Sequence, residues 1–211
     1  KFVLTQSILL EALQAVVGVV DNNKTIPLLS TILFSAEGNM LSLTGTDLEV
    51  QITSSIPFDN TSSEPFSFTL PGKKIFEICK SIPSDGEIHF KGEKNKMNIR
   101  YGKNCKFNLA TLPCDEYPLM ERSEAITSFR ITQGAILGLL KRTYFAMANH
   151  DVRFYLNGML LELSTDKINA IATDGHRLAL NTIAADIAID HKVQVIVPRK
   201  AVSELIRLLE T

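Results

Sequence analysis

Cysteine is scarce in this chain. Cys79, Cys105 and Cys114 are the only three thiols in 211 residues, and neither their count nor their spacing suggests a disulfide framework or a zinc site. An odd, sparse set suits a reducing compartment, so the sequence reads as a cytoplasmic protein with free thiols. No apolar run approaches the ~18 residues that a membrane-crossing helix needs. The opening Lys1-Phe2-Val3-Leu4-Thr5-Gln6 loses its apolar character too early for a signal peptide. No membrane partner is expected. An excess of one charge is also lacking: 22 basic residues face 23 acidic ones, for a net charge of −1. Affinity for nucleic acid would have to come from a local patch. Catalytic signatures are missing too. His89, His150, His176 and His191 are scattered, and there is no Gly-x-Ser-x-Gly, phosphate-cradling glycine loop or His-Glu-x-x-His. Asp174, His176 and Arg177 imitate part of a phosphoesterase site, without a nucleophile or metal set around them. The chain reads as a non-enzyme with no cofactor and no metal.

What is present is a repeat. Displaced by 127 residues, the sequence matches itself without a gap. Phe2, Thr5 and Gln6 fall on Phe129, Thr132 and Gln133, and Leu10 and Leu13 fall on Leu137 and Leu140. Asn22, Leu29 and Leu33 fall on Asn149, Leu156 and Leu160, and Thr46-Asp47 falls on Thr173-Asp174. Pro71, Lys73 and Glu77 fall on Pro198, Lys200 and Glu204. The identities are thin in a chain with many leucines. Their weight comes from one register that brings helix starts, turns and strands into line together.

Apolar spacing predicts a helix over 7–20, through Leu9, Leu10, Leu13, Val16, Val17 and Val20, with Thr5 or Ser7 as its cap. Its mate runs over 133–148, with Ile136, Leu137, Leu140 and Phe145 on one face. β-like segments follow at 29–36, 40–44 and 49–56, and again at 157–163, 167–172 and 177–183. Turn residues separate them: Glu37-Gly38-Asn39, Thr165-Asp166 and Asp174-Gly175. Within the first copy Phe68-Thr69-Leu70 echoes Phe2-Val3-Leu4 and leads into a second helix, 73–82, then strands near 87–91, 97–101 and 105–112. The unit is strand, helix, three strands, used twice per domain. This is an α+β class of tandem domains, each with helices on one face of antiparallel sheets. Domain one is read as 1–120, with 121–127 as linker and domain two as 128–211. Residue 211 falls on residue 84 of the first copy, so a complete second domain needs about 40 further residues.

Several segments together resemble the bacterial sliding clamp, the DNA polymerase III beta subunit. They are Thr25-Ile26-Pro27-Leu28-Leu29, Leu41-Ser42-Leu43-Thr44-Gly45-Thr46-Asp47-Leu48-Glu49, Phe76-Glu77-Ile78-Cys79 and Phe107-Asn108-Leu109-Ala110-Thr111-Leu112-Pro113. The second copy adds Asp151-Val152-Arg153-Phe154-Tyr155-Leu156-Asn157-Gly158-Met159-Leu160, Ala172-Thr173-Asp174-Gly175-His176-Arg177-Leu178-Ala179 and Val197-Pro198-Arg199-Lys200. The resemblance covers the chain in order and implies a DNA-clamp fold. In that family three such domains form a subunit and two subunits close a homodimeric ring around double-stranded DNA. The third domain and the end of the second would lie outside these residues.

A clamp must hold DNA without gripping it, which asks for diffuse positive charge and few base contacts. The four expected helices, with the last read over 198–210, hold eight basic and four acidic side chains, a surplus of four positive charges in a chain of net −1. The same bias also fits ordinary solvated helix faces. The resemblance implies DNA contact by Lys73, Lys80, Lys141, Arg142, Arg199 and Lys200. It implies the same for the loop residues Asn23, Lys24, Asn149, His150, Phe154 and Tyr155. Phe154 and Tyr155 read equally well as a stacking surface or as packing at a strand start. The resemblance further implies that replicative polymerase and clamp loader insert a short linear peptide against Leu156, Thr173, Gly175, His176, Arg177 and Leu178. It places the ring's dimer edge at Lys74, Lys103, Lys106, Phe107 and Leu109, where Lys106 to Leu109 alternates basic or polar with apolar. The rival reading is a duplicated protein–protein adaptor that never touches DNA.

Overall fold

The computed structural model describes residues 1–20, 25–58, 64–121, 125 and 127–210. The chain divides into two compact units, Lys1–Met120 and Glu121–Thr211. The first contains, in order, β1 (Phe2–Thr5), α1 (Gln6–Val16), β2 (Thr31–Glu37), β3 (Met40–Thr46), β4 (Gln51–Pro57), β5 (Phe66–Pro71), α2 (Gly72–Lys80), β6 (Glu87–Glu93), β7 (Lys96–Tyr101) and β8 (Cys105–Ala110). Its strands form two antiparallel sheets, ordered β4-β3-β2-β5 and β1-β6-β7-β8. Alternation along β2 decides which face is covered. Ile32, Phe34 and Ala36 are buried in the core, whereas Ser35 and Glu37 on the opposite face are exposed. Leu9, Leu13 and Val16 make one stripe of α1 and pack into the same core as Ile75, Ile88 and Phe90. Close approach of α1 to β3 depends on Gly45, where an added Cβ would lie 2.7 Å from Val16 Cγ1.

The second unit repeats this plan in register. α3 (Gln133–Tyr144), β9 (Gly158–Leu163), β10 (Lys167–Thr173), β11 (Leu178–Ala184), β12 (Val193–Pro198) and α4 (Arg199–Leu209) each begin 127 residues after α1, β2, β3, β4, β5 and α2. The sheet order β11-β10-β9-β12 is the order of the first sheet carried over strand by strand. Ile168, Ala170 and Ala172 of β10 share a core with Leu139 and Leu140 of α3 and Val202 of α4. β12 is not among the segments that the sequence pattern singles out; it pairs with β9 from Val193↔Leu163 to Pro198↔Gly158.

Several expectations are corrected. The first helix ends at Val16 rather than 20, its mate at Tyr144 rather than 148, and the second helix at Lys80 rather than 82. Apolar periodicity continues past these points, but the backbone tightens into turns bonded to the carbonyl three residues back, as in Val19 N–H to Val16 O (3.2 Å) and Ala146 N–H to Thr143 O (3.1 Å). Neither Thr5 nor Ser7 caps α1 through its hydroxyl. The first amides find carbonyls in the turn before β6 instead, Gln6 N–H to Gly86 O at 2.8 Å and Ser7 N–H to Ser84 O at 3.3 Å. The expected strand starts at 29 and 157 are the ends of 3₁₀ turns, Pro27–Ser30 and Phe154–Asn157. Phe129, the mate of Phe2, is not in a strand. β1 exists by pairing with β6, Phe2↔Phe90; no strand among the described residues pairs in that way with Phe129.

Candidate functional site

The loop between β10 and β11 is organised by two short side chains. Thr173 Oγ1 accepts the Gly175 N–H (3.1 Å) and donates to Arg177 O (2.7 Å). Asp174 Oδ1 accepts the amides of His176 (2.9 Å) and Arg177 (3.0 Å). Those two amides, with the Arg177 guanidinium, hold the Asp174 carboxyl below its usual range. Gly175 takes φ +90°, the left-handed region where a side chain is strained. The same device stands between β3 and β4. There Thr46 Oγ1 accepts Leu48 N–H (3.1 Å), and Asp47 Oδ1 accepts the amides of Glu49 (3.0 Å) and Val50 (2.7 Å). The repeated Thr-Asp pair is therefore a turn-former in both units. In the second it also presents His176 and Arg177, both exposed.

A second loop, 149–157, packs against the first. Asp151 accepts the Arg153 backbone amide (2.8 Å), Nε (3.0 Å) and Nη2 (2.9 Å), and these bonds pull its carboxyl down to about 2. Asn157 closes the loop, its Oδ1 accepting Asp151 N–H (2.9 Å) and its Nδ2 donating to Asp151 O (2.8 Å). Arg153 lies over Gly175, where a Cβ would come within 3.2 Å of Nη2. Arg199, at the start of α4, turns toward the end of α3. Its Nη1 donates to Met147 O (2.9 Å), and its guanidinium lies 4.6 Å from the centre of the Tyr144 ring.

These loops border an open cleft of about 420 Å³ lined in part by Phe145, Asn149, His150, Asp174, His176, Arg177 and Arg199. Residues expected in two separate roles thus meet: Asn149, His150 and Arg199 as DNA contacts, His176 and Arg177 as partner contacts. Phe154 and Tyr155 are 82% and 52% exposed, edge to face with centroids 6.1 Å apart, rather than packed into the fold. Leu178 is 66% exposed, whereas Leu156 is buried and the Thr173 hydroxyl is engaged in its own turn. Phe145 departs from expectation: past the end of α3 it leaves the apolar face, is exposed, and lies 5.4 Å beneath the Arg177 guanidinium. Sequence reasoning also passed over Arg153; its only local signal is the carboxylate two residues earlier.

Away from the cleft, Lys73, Lys74 and Lys80 on α2 and Arg142 on α3 are exposed and form no ion pair among the described residues. Lys141 pairs with Glu210, and Arg207 pairs with Glu204 at 2.7 Å. Lys200 is half-buried. α1 contributes no basic residue, so the positive bias belongs to the other three helices. Asn23 and Lys24 lie outside the described residues. β8 is an edge strand of its sheet. Lys106 on it is exposed, Phe107 packs against the core and Leu109 is buried, with Lys103 exposed in the preceding turn. No described group of three His, Cys, Asp or Glu side chains is placed to hold a metal. No described helix is long and apolar enough to cross a membrane.

The duplicated helix-on-sheet plan defines a class, the DNA sliding clamps. The crystal structure of DNA polymerase III subunit beta from Pseudomonas aeruginosa superposes with a TM-score of 0.92 at 43% identity, covering 100% of this chain and 56% of that one. Caulobacter crescentus pol III beta gives 0.88 at 33% identity, covering 99% and 57%. Among curated relatives, the beta sliding clamp of Pseudomonas putida is 43% identical over 208 residues, 99% of this chain and 56% of the relative; that of Escherichia coli is 37% identical over 210 residues, 57% of its length. Residues 1–121 match the family model of the DNA polymerase III beta subunit N-terminal domain, and residues 130–211 match that of its central domain. The chain belongs to the DNA polymerase III beta subunit family. It spans little more than half the length of these relatives.

Proposed function

We propose that this chain is the N-terminal and central part of a non-enzymatic ring that encircles duplex DNA and tethers a replicative polymerase to it. Domain one is 1–120, the linker 121–127, and domain two 128–211. The observation that carries the reading is the residue-for-residue repeat, with Lys73, Lys74 and Lys80 exposed on α2 and Lys141 and Arg142 exposed on α3. Diffuse charge on helices suits phosphates that must slide past rather than be gripped. Lys73, Lys80, Lys141, Arg142 and Lys200 supply that charge; Asn149 and His150 offer polar contacts beside it, as would Asn23 and Lys24, which lie outside the described residues. Arg199 contributes field rather than a free hand, since its guanidinium is bonded to the end of α3. Phe154 and Tyr155 offer exposed rings on which bases can stack.

The partner site is the surface around Leu178, Gly175, His176 and Arg177, with Thr173 and Leu156 as its frame. Clamp loader and polymerase would reach it through a short linear peptide. A Pseudomonas aeruginosa relative has been crystallised bound to griselimycin. The ring would close as a homodimer along β8, through Lys106 and its neighbours Lys74, Lys103, Phe107 and Leu109. The protein would act in the cytoplasm.

The test uses the full-length protein with its loader. Retention on nicked circular duplex, abolished when the circle is cut, supports a topological clamp. Equal retention on circular and linear DNA, or none on either, sinks it; the latter favours the adaptor reading. Replacing Lys73, Lys80 and Arg142 with Glu should shorten dwell on circles and flatten its salt dependence, by about one unit of log–log slope for each phosphate no longer neutralised.

A further inference from the structure

At the end of α3 three consecutive apolar side chains part company. Ala146 and Met147 turn into the core with Leu139 and Leu140. Phe145 keeps ordinary helical backbone, φ −65° and ψ −21°, but is 55% exposed. Its ring lies under the Arg177 guanidinium, whose carbon is 5.4 Å from the ring centre, inside the range for a cation held over an aromatic face. Asp174 grips the same guanidinium by one edge, Oδ2 accepting Nε–H at 2.9 Å. Neither Nη group forms a hydrogen bond among the described residues, and the side chain is 57% exposed. Arg177 borders the open cleft together with His150, His176 and Arg199. Asp151 and Asp174 on the cleft wall are each already paired with an arginine, so an incoming group meets surplus positive charge.

The repeat tells whether the fold needs this pair. Shifted by 127 residues, Phe145 falls on Gly18 and Arg177 on Val50. The Thr-Asp turn forms in the first unit all the same, with Asp47 Oδ1 accepting the Glu49 and Val50 amides. α1 also ends within one residue of the point that matches the end of α3. Helix, turn and sheet are thus built without ring or guanidinium, and a glycine at 18 offers no face on which a cation could rest. The pair is an addition found in the second unit alone, and it serves something other than the fold.

We infer that Phe145 is a positioning residue of the partner site. Its ring fixes the plane of the Arg177 guanidinium with both Nη groups toward the cleft, ready for an acceptor oxygen, carboxylate or carbonyl, of the docked peptide. The inference rests on the partner-site reading above. Held by Asp174 at Nε alone, a long arginine keeps several rotors free, and binding has to freeze them. A ring beneath the planar group removes that freedom in advance. The work is divided: the carboxylate anchors one edge, the ring supports one face, and the outer edge is left for the ligand. Phe145 acts through Arg177 and need not touch the peptide itself.

The experiment titrates the full-length protein, without DNA, with the replicative polymerase of the same organism. Arg177→Ala should weaken binding about tenfold or more. Phe145→Leu keeps an apolar side chain but removes the aromatic face, and should weaken binding about two- to fivefold. Phe145→Tyr keeps the face and should restore wild-type affinity. In the Arg177→Ala background Phe145→Leu should change nothing further, since the ring has lost what it supports. Exchange of the Arg177 Nε–H, followed in protein carrying nitrogen-labelled arginine, should quicken by about two- to fivefold in Phe145→Leu and stay as it is in Phe145→Tyr, with the unfolding midpoint unmoved. A loss on Arg177→Ala that shrinks as salt is raised identifies the acceptor as a carboxylate, and one that persists identifies a carbonyl. Equal weakening by Phe145→Leu with and without Arg177 overturns the inference, because the ring then acts by itself. So does wild-type binding by Phe145→Leu where Arg177→Ala is impaired, an outcome that leaves the partner site standing. Full affinity in Arg177→Ala removes the arginine from the partner site and sinks that reading and the inference together.

Discussion

Arg199→Ala separates a structural arginine from a DNA-facing one. The guanidinium donates to Met147 O at 2.9 Å and lies over Tyr144 at 4.6 Å, at the C-terminal end of α3. A charge-assisted hydrogen bond of this kind is worth about 1.5–3 kcal/mol, and stacking on an aromatic ring about 0.5–1 kcal/mol. Arg199 is half-buried, so the lower part of the combined range applies, about 2 kcal/mol. The cost should fall on the junction that the arginine ties down. There Ala148 N–H donates to Leu156 O (3.0 Å) and Leu156 N–H to Arg153 O (2.9 Å). Native-state hydrogen exchange of these two amides in the full-length protein is the assay, and 2 kcal/mol corresponds to exchange about 30-fold faster. Arg199→Lys keeps the charge but loses the planar stack, and should fall between wild type and Ala. The reasoning is refuted if Arg199→Ala leaves both amides within about twofold of wild type while DNA dwell time drops. That pattern would make the side chain a free phosphate contact.

Gly45→Ala places a Cβ 2.7 Å from the stiff, β-branched Val16, and overpacking should cost about 1–3 kcal/mol, read as faster exchange in β2 and β3; combining it with Val16→Ala should recover part of the loss, and strict additivity would disprove the contact. Tyr117→Phe removes the phenol that bridges Thr31 O and Thr44 O and should destabilise the first unit by about 1 kcal/mol at neutral pH. Burial pushes the same phenol up to about 12, above the 10 of a free tyrosine. Stability is therefore whole below pH 10 and declines as pH climbs toward 12, and Tyr117→Phe should flatten that alkaline slope in urea titrations. Asp151, held down to about 2 first by its hydrogen bond from Arg153, works the other way. The order it gives the 149–157 loop is complete above its ordinary 3.8 and should vanish as pH falls toward 2, seen in loop chemical shifts; Asp151→Asn should show the loosened loop already at pH 7.

Much of the fold is legible in the residue pattern because it is encoded locally. Thr46-Asp47 and Thr173-Asp174 are repeated in sequence since two short polar side chains suffice to hold each turn. Alternation marks β3 and β10, and helical spacing marks α1 and α3, at the right places. β12 escaped because Val193 to Val197 is partly exposed on both faces and shows no clean alternation of burial. Helix ends escaped because apolar periodicity runs on through Val19, Val20 and Ala146 to Ala148, which stay buried after the backbone has left the α-helical bonding pattern. Of the candidate cleft, the conspicuous His176 and Arg177 could be found from their motif. Phe145 could not, since its membership depends on α3 ending one residue before it.

The sequence by itself determined the period, the element types and the family, all of which rest on spacings within about one turn, one strand or one repeat. Tertiary structure alone decided where the unpaired groups go. The first amides of α1 meet carbonyls at 84 and 86, Tyr117 crosses back to β2 and β3, and Arg199 reaches the end of α3 some fifty residues earlier. Each of these partners is remote in the chain and brought near only by packing of the sheets and helices. A hydrogen bond is a demand of the local backbone, but which distant atom meets it is set by the fold.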